Sequence, residues 1–476
     1  MANERQRRIL RAFEGKRVAI AGLGRTSVPL VRLLSGFGAR VTVFDKKDQK
    51  DLIVQLDQLR GSVYELRAGT DSFEGIGCFD YLFPSPGINP DRPDFLSARS
   101  AGVKFGYEIE LTIELAECPV IGITGSSGKT TTTTLVGLML EEACRRRGKG
   151  AVMVGGNIGR PLVEEVLSGK ADDFAVLEMS SFQLKFIRTS PDISAVLNIT
   201  PNHLDVHPSM EDYISSKANI LAFQGKDSTA VLGADDAVSA SLAPACKGRV
   251  LWFSADSEVE AGAFLRGDEL VLRMPGRGDE PVMFRNDIRI PGMHNVLNVL
   301  AAMAVSAAAG AEASDMRSAV LGFAGVEHRL EHAGEKNGIL YVNDSIATSP
   351  ARTIAALKAF DRPIVLIAGG YDKHLPFDGM AELALGRVRH LVTLGVTAAK
   401  IEEAFASAAG KTGKPLPGME RAETFDDAVM AASRAAQDGD VVLMSPACAS
   451  YDMFNNFEER GRRFKELAGE ITGKGR

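Results

Sequence analysis

Cysteine is scarce in this sequence, and there is no excess of positive charge. Only five of its 476 residues are cysteine, and no two of them form a C-x-x-C pair. This spacing argues against a disulfide framework and against a zinc ribbon. The 55 basic and 61 acidic side chains leave a formal net charge of −6. Because no global basic field attracts a polyanion, we expect no nucleic-acid partner.

Long apolar segments are also missing. The longest, residues 296–310, is too short to cross a bilayer and contains Asn298, so we expect a buried helix and no membrane insertion. The first 13 residues are polar and rich in arginine, and no apolar core follows them, which is not the pattern of an export signal. Together these absences predict a cytoplasmic protein.

The chain does contain an alternation of short apolar runs with helical patterns, which starts near residue 18 and again near residues 120 and 339. A strand–helix–strand rhythm of this kind predicts parallel sheets covered by helices. We therefore predict an α/β protein of three domains. Residues 226–290 of the second domain predict a small, mostly antiparallel β insertion. The predicted domains are residues 1–112, 113–325 and 326–476.

A glycine-rich loop, T-G-S-S-G-K-T, follows the strand near residue 120 and precedes a long helical pattern. Consecutive N–H groups in such a loop can cradle phosphates, Lys129 can reach the outer phosphates, and the Thr130 hydroxyl can hold Mg²⁺. Ile123 stands where the usual G-x-x-x-x-G-K-[ST] pattern has its first glycine. A chance turn is the alternative, but the pattern favours ATP. The expected nucleotide-binding residues are Gly125, Ser127, Gly128, Lys129, Thr130 and Thr131.

A second glycine motif, G-L-G, lies at Gly22 and Gly24, directly after the first strand. Asp45 ends the next strand, as in the dinucleotide-binding fingerprint, where backbone N–H groups and a helix dipole receive a pyrophosphate. Ser27 replaces the third glycine of that fingerprint, which weakens an NAD interpretation. A dinucleotide, another nucleoside diphosphate and plain tight packing all remain open from these residues alone.

Polar side chains follow the next two strands of the second domain. Glu178 stands where a carboxylate would hold Mg²⁺. His203 ends the following strand, and a lone histidine is as often a structural group as a ligand. Lys217 lies on a predicted helix, and nothing in the composition separates it from a solvated charge. Asn295 and Asn298 share one face near the start of the buried helix, either as caps or as ligand contacts.

In the third domain, polar segments follow three separate strands, at residues 343–345, 369–373 and 445–450. Polar groups at strand exits suit a ligand pocket, although turn chemistry alone explains each segment taken singly. Arg329 follows the boundary between the second and third domains and could reach a phosphate, although a solvated arginine is the commoner case. Cys448 needs no catalytic role, since no histidine is near it in the sequence.

Taken together and in this order, the motifs resemble those of the Mur ligase family, and the resemblance covers nearly the whole chain. It also rests on S-P-G at residues 85–87, G-G-N-I-G at 155–159, E-M-S-S-F-Q at 178–183 and S-P-A-C-A-S-Y-D at 445–452. The resemblance implies a Rossmann-like N-terminal domain that binds UDP, a central P-loop ATPase-like domain and a Rossmann-like C-terminal domain that binds an amino acid.

The activity implied by the resemblance is that of an ATP-dependent ligase of peptidoglycan precursor synthesis. Such an enzyme joins D-glutamate to UDP-N-acetylmuramoyl-L-alanine through an acyl phosphate. The same chemistry with L-glutamate is the near alternative, and an NAD-dependent oxidoreductase built on the G-L-G motif is a distant one. A nucleotide-binding module without catalysis is a third. We expect a monomer that uses ATP and two Mg²⁺ sites.

Roles for single residues follow from the same resemblance. The implied catalytic group consists of Lys129, Glu178, His203 and Lys217. Thr130 and Glu178 would hold one Mg²⁺, and His203 would help to hold a second. Lys217 matches a lysine that is carbamylated in this family, and a carbamate has oxygen atoms that suit Mg²⁺. The implied contacts to the UDP substrate are Gly24, Arg25, Thr26, Asp45, Ser85, Gly87, Asn157 and Ser180. Further implied contacts to ATP are Asn298, Arg329 and Asp344. The implied amino-acid pocket consists of Thr348, Lys373, Ser450 and Phe457.

Two positions depart from the family pattern. Ile346 stands where relatives usually have a lysine, and Asn202 stands where an acidic residue often precedes the histidine. Because a cation is missing at Ile346, we expect recognition of glutamate to depend more strongly on Lys373.

Overall fold

The computed structural model describes residues 3–69, 73–89, 91–157, 159–201, 207–290, 292–372 and 375–473. The chain divides into two compact units, Met1–Phe323 and Ala324–Arg476. The described residues form three sheets, two in the first unit and one in the second, which confirms the predicted α/β class. The exact limits of the three predicted domains stay a prediction. Within the described ranges, no helix is long and apolar enough to cross a membrane.

The N-terminal sheet is parallel throughout its described strands. Its strands are β1 (Arg17–Ala21), β2 (Arg40–Asp45), β3 (Tyr64–Ala68), β4 (Tyr81–Pro84) and β5 (Lys104–Phe105). Its helices are α1 (Glu4–Arg11), α2 (Ser27–Gly36), α3 (Ile53–Gln58), α4 (Pro93–Ser100) and α5 (Glu108–Leu115). The strand order β3-β2-β1-β4-β5 reverses at β1. The carboxyl end of β1 is therefore a topological switch point, where open α/β sheets bind ligands.

The central sheet carries the glycine-rich loop. Its described strands are β6 (Val120–Thr124), β7 (Val152–Gly156), β8 (Phe174–Glu178), β9 (Ile193–Val196), β10 (Thr229–Gly233), β11 (Arg249–Ser254), β12 (Gly262–Arg266), β13 (Glu269–Arg273) and β14 (Asp279–Phe284). Its helices are α6 (Lys129–Arg147), α7 (Ser181–Leu184), α8 (Met210–Ala222), α9 (Ala237–Ala240), α10 (Met293–Ala308) and α11 (Ala313–Gly322). The order is β14-β13-β12-β11-β10-β9-β6-β8-β7, so β6 lies between β9 and β8.

The prediction of a mostly antiparallel insertion over residues 226–290 is wrong in its strand directions. β10, β11 and β12 continue the central sheet in parallel, and only the pairings of β13 and β14 are antiparallel. All five residues of β10 are buried, as expected for a strand inside a parallel sheet. The crossover from β10 to β11 contains the four-residue α9 and a three-residue 3-10 helix, Ala243–Ala245, and both are too short to give a helical pattern in the sequence.

A single hydrophobic cluster joins the two sheets of the first unit. It includes Val18 and Ile20 of β1, Leu111 of α5 and Leu177 of β8, and all four side chains are buried. The buried Gln6 side chain adds a polar link, since its amide donates to the Leu115 carbonyl at 2.9 Å and to the Val166 carbonyl, between β7 and β8, at 3.3 Å. Packing therefore fixes the N-terminal sheet against the central sheet.

The second unit has one sheet. Its described strands are β15 (Glu331–Lys336), β16 (Ile339–Asn343), β17 (Ile364–Gly369), β18 (Val388–Leu394), β19 (Gly418–Arg421) and β20 (Val441–Met444). Its helices are α12 (Pro350–Lys358), α13 (Asp378–Ala384), α14 (Ala398–Thr412), α15 (Phe425–Ala435) and α16 (Phe457–Thr472). The order is β15-β16-β20-β17-β18-β19. Because β16, β20 and β17 are neighbours, the three polar segments found in the sequence leave the sheet side by side.

Candidate active site

The glycine-rich loop connects the fully buried strand β6 to the start of α6. Gly128 is the N-cap of α6 and has φ +81°, a conformation that side chains disfavour. A Cβ at this position would lie 2.2 Å from Asn298 Oδ1, so any other residue would force the Asn298 side chain to move. The loop is held by Asn198, whose carbonyl and side chain accept the N–H groups of Ser126 and Ser127 at 2.8 and 2.9 Å.

The loop can serve a phosphate although its first glycine is missing. Ile123 lies inside β6 and is fully buried, so the residue that departs from the usual pattern packs in the core and is not part of the loop. Lys129, Thr130 and Thr131 form the first turn of α6, where N–H groups have no acceptor within the helix. Lys129 folds back over the loop, and its Nζ donates to the Gly125 carbonyl at 2.9 Å. Ser127 is exposed at the surface of the loop.

Glu178 joins two neighbouring strand exits to this loop. It is the last residue of β8 and is 2% exposed. Thr130 Oγ1 donates to Glu178 Oε2 at 2.8 Å, and Asn157 Nδ2 donates to Glu178 Oε1 at 2.8 Å. Hydroxyl and carboxylate oxygens are the ligands that Mg²⁺ prefers, so Thr130 and Glu178 fit that ion.

Lys217 is not the solvated charge that its sequence context suggests. It is 1% exposed, and its Nζ lies 2.9 Å from the Gly125 carbonyl and 4.8 Å from the centroid of the Tyr213 ring. Burial and, to a smaller extent, the charge of Lys129 lower the pKa of Lys217 to about 7, against the opposing effect of Glu178. A buried amine that is partly neutral near pH 7 can react with CO₂, and the resulting carbamate fits beside a cation better than an ammonium does.

Two of the predicted site residues, His203 and Lys373, lie outside the described residues, as does Asn202. Within the described part of the chain, no group of three or more His, Cys, Asp or Glu side chains could hold a metal ion. The metal set implied by the family resemblance is not of that kind, since it draws on a threonine and a modified lysine.

The G-L-G motif, Ser85 and Asp45 meet at the carboxyl end of β1. Asp45 Oδ2 accepts the Leu23 N–H at 2.6 Å. Ser85 Oγ donates to the Gly22 carbonyl at 2.9 Å and lies 2.9 Å from Ser27 Oγ. The serine in place of the third fingerprint glycine is thus buried in a hydrogen-bonded cluster that binds the loops together.

The same loops extend towards the central sheet. Arg25 is exposed, and its Nη1 donates to the Gly159 carbonyl at 2.7 Å, in the segment that follows β7 and carries Asn157. Thr26 is the N-cap of α2, and Gly87 is exposed in the loop after β4. Arg25 therefore links the loop after β1 to the segment that follows β7.

Asn298 and Ser180 differ in the hydrogen bonds that hold their side chains. Asn298 is 8% exposed, and its Nδ2 donates to Asn295 Oδ1 at 3.1 Å while its Oδ1 lies next to Gly128. Neither asparagine caps α10, whose N-cap is Gly292 without a side-chain capping bond. Ser180 does cap a helix, because it forms a capping box with Gln183 at the start of α7.

In the second unit, Asp344 follows β16 and is 4% exposed. Its carboxylate accepts the Ser445 hydroxyl at 2.7 Å and the Leu330 N–H at 3.3 Å. Burial raises the pKa of Asp344 to about 7, against the effect of these hydrogen bonds and of the Arg329 charge. Arg329 itself is exposed. The adjacent His328 is buried with φ +63°, and burial lowers the pKa of its imidazole.

The predicted amino-acid pocket is only partly visible. Ser450 is 2% exposed in the segment after β20, Thr348 is half-buried after β16, and Phe457 begins α16 with its ring 6.1 Å from that of His328. Cys448 is buried, and burial raises the pKa of its thiol to about 11.

Sequence reasoning missed Arg460 of α16. This guanidinium is 1% exposed, and it donates to the Ser345 hydroxyl and carbonyl at 3.0 and 2.9 Å and to the Cys448 carbonyl at 3.1 Å. Burial lowers its pKa to about 10. One side chain thus fastens the exits of β16 and β20 to each other. An arginine in the first turns of an amphipathic helix gives no sequence signal of such a role.

Comparison with known proteins gives a consistent result along the chain. Residues 16–106 match the model of a Mur ligase MurD-like N-terminal domain, residues 123–306 that of a Mur ligase middle domain, and residues 328–448 that of a Mur ligase glutamate ligase domain.

Whole-length relatives are also found. A protein of Symbiobacterium thermophilum named UDP-N-acetylmuramoylalanine--D-glutamate ligase is 44% identical over 459 residues, which cover 96% of this chain and 98% of the relative. A protein of the same name from Acetivibrio thermocellus is 41% identical over 461 residues, with 96% and 97% covered. Among solved structures, MurF from Acinetobacter baumannii has a TM-score of 0.54 at 18% identity over 97% of this chain and 98% of its own, and this likeness concerns the fold.

Proposed function

The chain belongs to the Mur ligase family, and on that premise we propose that it joins D-glutamate to UDP-N-acetylmuramoyl-L-alanine while ATP is cleaved to ADP and phosphate. The observation that carries this proposal is the arrangement of Thr130, Glu178 and Lys217 around a phosphate-binding loop. The two relatives described above bear the name of this activity. The reaction is a step of peptidoglycan precursor synthesis, and we propose the cytoplasm as its location and a monomer as its form.

The first chemical step makes a leaving group. A carboxylate cannot acylate an amine in water, because the group expelled would be oxide. An oxygen of the L-alanyl carboxylate attacks the γ-phosphorus of ATP, the bond to ADP breaks, and an acyl phosphate forms. The N–H groups at the start of α6 and the Lys129 ammonium face the phosphates and stabilise the charge that spreads over the transferred group. Gly125, Ser127, Gly128 and Thr131 complete this phosphate site.

The proposed metal ligands belong to the same group of residues around the phosphate loop. Thr130 and Glu178 would hold one Mg²⁺, and His203 with carbamylated Lys217 would hold a second. The ions would neutralise phosphate charge when bound. Lys217 reaches that state by attack of its neutral amine on CO₂, which forms the carbamate and releases one proton. The pKa of about 7 is what makes the neutral amine available at physiological pH.

The second step forms the amide. The glutamate amine attacks the acyl carbon, phosphate leaves, and the nitrogen loses a proton. We propose that Thr348, Lys373, Ser450 and Phe457 hold glutamate so that only its amine reacts, and that Asp344, Arg329 and Asn298 contact ATP. We propose Gly24, Arg25, Thr26, Asp45, Ser85, Gly87, Asn157 and Ser180 for the UDP substrate. The corresponding domains are residues 1–112, 113–325 and 326–476.

Release of phosphate tests the proposal. Purified protein with ATP, Mg²⁺ and UDP-N-acetylmuramoyl-L-alanine should release phosphate with D-glutamate and much less with L-glutamate. A preference for L-glutamate would change the acceptor and leave the chemistry intact. No release with any amino acid would refute the ligase assignment, and a change in nicotinamide absorbance would support the oxidoreductase alternative.

A further inference from the structure

We propose that His207 is a positioning residue of the active site, because its side chain fastens the segment that follows Glu178 to the helix that carries Lys217. The proposal rests on the proposed function, since it concerns the geometry of the metal and phosphate site. His207 itself was not singled out by the sequence analysis, and its imidazole is 3% exposed.

Both ring nitrogens of His207 are bonded, and each reaches a different segment. Nδ1 lies 2.6 Å from Asp212 Oδ2 in the first turn of α8, and Nε2 lies 3.0 Å from Ser181 Oγ at the start of α7. Burial alone would raise the pKa of Asp212, but its hydrogen bonds from His207 and Lys185 outweigh this and leave the pKa below its ordinary value. The ionised carboxylate only accepts, so Nδ1 carries the proton that it receives.

Two aromatic rings, one from each of the same two segments, also pack against His207. The Phe182 ring of α7 stacks on the imidazole with centroids 5.2 Å apart and planes 15° apart. The Tyr213 ring of α8 meets it edge-on at 5.1 Å. One hydrogen-bonding residue and one ring from each segment therefore surround His207. A group held on four sides in this way has little freedom to move, and neither do the segments that hold it.

The two segments lead directly to the reacting groups. Ser181 comes three residues after Glu178, and Tyr213 lies one helical turn before Lys217. The Lys217 Nζ lies 4.8 Å from the centroid of the Tyr213 ring. The Tyr213 hydroxyl lies 3.0 Å from Ser126 Oγ in the phosphate loop. A shift at His207 would thus be felt at Glu178, at Lys217 and at the loop. In the sequence, His207 also directly follows residues 202–206, which contain His203.

Ser181, His207 and Asp212 contact one another in the order of a hydrolase triad, but the burial of Ser181 argues against hydrolase chemistry. Ser181 is 2% exposed and its hydroxyl is bonded to the imidazole inside the protein, so a substrate has no access to it. A role in holding the segments together accounts for all four contacts.

The test compares two single variants and their double variant with a matched control. His207→Asn keeps a donor towards Asp212 and loses the bond to Ser181, whereas Ser181→Ala removes only the serine partner. The control is Gln224→Leu, because Gln224 is 3% exposed just beyond the other end of α8 and donates to the Pro191 and Thr229 carbonyls at 3.3 and 3.2 Å. Each variant is measured for Mn²⁺ affinity by electron paramagnetic resonance with a non-hydrolysable ATP analogue, for kcat and for thermal unfolding.

Loss of a side chain that orients a metal site commonly weakens metal binding by about 10- to 100-fold. We expect His207→Asn to weaken Mn²⁺ binding at least about tenfold and to lower kcat, with the KM for the UDP substrate within about twofold. Ser181→Ala should have a smaller effect, and the double variant should be no worse than His207→Asn alone, because both changes remove the same connection. Gln224→Leu should lower the unfolding temperature without changing Mn²⁺ affinity.

Mn²⁺ affinity within about twofold of wild type in His207→Asn would overturn the proposal, as would an equal loss of affinity in Gln224→Leu. Additive effects of the two changes would also contradict it. These outcomes are independent of the proposed function, since Mn²⁺ and ATP-analogue binding need no acceptor or UDP substrate. If wild-type protein binds both but releases no phosphate, the ligase assignment fails while the comparison of variants still decides the role of His207.

Discussion

Replacing Lys217 with methionine should make the protein more stable and, at the same time, inactive. The lysine has a pKa of about 7 in the folded chain, against 10.5 when it is exposed to water. In the folded protein the ammonium form is disfavoured by burial, so the folded state binds a proton less tightly than the unfolded state. Methionine fills a similar volume, has no charge and carries no such penalty.

The magnitude and its pH dependence follow from these two pKa values. The penalty on the folded state is fully present below pH 7, amounts to about 4 kcal/mol at pH 7 and falls to about 2 kcal/mol at pH 9, because the unfolded lysine also loses its proton near pH 10.5. The advantage of Lys217→Met over wild type should therefore shrink by about 2 kcal/mol between pH 7 and pH 9. The lost hydrogen bond to the Gly125 carbonyl reduces the advantage by about 1 kcal/mol at either pH.

The chain has a single tryptophan, Trp252 in β11, whose fluorescence reports on the central sheet during unfolding in urea. The measurement is made at pH 7 and pH 9 in buffer free of bicarbonate, with Lys226→Met as the control because Lys226 is exposed. A Lys217→Met protein that is less stable than wild type, or an advantage that does not change with pH, would show that the buried amine is not strained. Turnover close to that of wild type would refute its proposed role as the carbamylated lysine.

Three further outcomes are expected. Gly128→Ala should raise the KM for ATP at least about tenfold because its Cβ would collide with Asn298, whereas Gly148→Ala, at a φ of +66° with open space around it, should leave that KM unchanged; equal effects would refute the steric argument. As the pH drops through about 7, protonation removes the Asp344 carboxylate as an acceptor in the proposed ATP site, so wild type should lose more ATP affinity than Asp344→Asn in a binding titration; the pH dependence contributed by Lys217, whose pKa is also about 7, should remain in both proteins. Lys373→Ala should lower kcat/KM for glutamate by about 10- to 100-fold with little change for ATP, and a larger effect on ATP would place this lysine at the nucleotide.

The strands and the phosphate loop were predictable because their signals are local. Residues 120–123 and 441–444 have no polar side chain, and both strands lie where the sequence predicts them. The loop from Thr124 to Thr130 could be recognised from its glycine, lysine and threonine residues, because the backbone turn and the binding of phosphate require these residue types. The strand directions of β10 to β12 were not predictable in this way, because apolar alternation is the same for a parallel and an antiparallel neighbour.

The burial of single polar side chains was the least predictable part of the site. Lys217, His207 and Arg460 have ordinary neighbours in the sequence, and each becomes significant only through residues far along the chain. The Gly125 carbonyl is 92 residues from Lys217, and the Ser345 hydroxyl is 115 residues from Arg460. No periodicity or composition reports such a contact, and only the family resemblance selected Lys217 from the other lysines.

The hydrophobic cluster that spans both sheets of the first unit has a consequence for substrate choice. Because Val18, Leu111 and Leu177 belong to one packed interior, the carboxyl ends of β1 and β6 stand at a fixed spacing. On the proposed function, a substrate whose diphosphate binds at the end of β1 would have to span this distance to present its carboxylate at the phosphate loop. The packing of this unit would then determine the length of substrate that can react, although the packed side chains do not contact the substrate. Enlarging or shrinking one of them should change which acyl chains react while every binding residue stays the same.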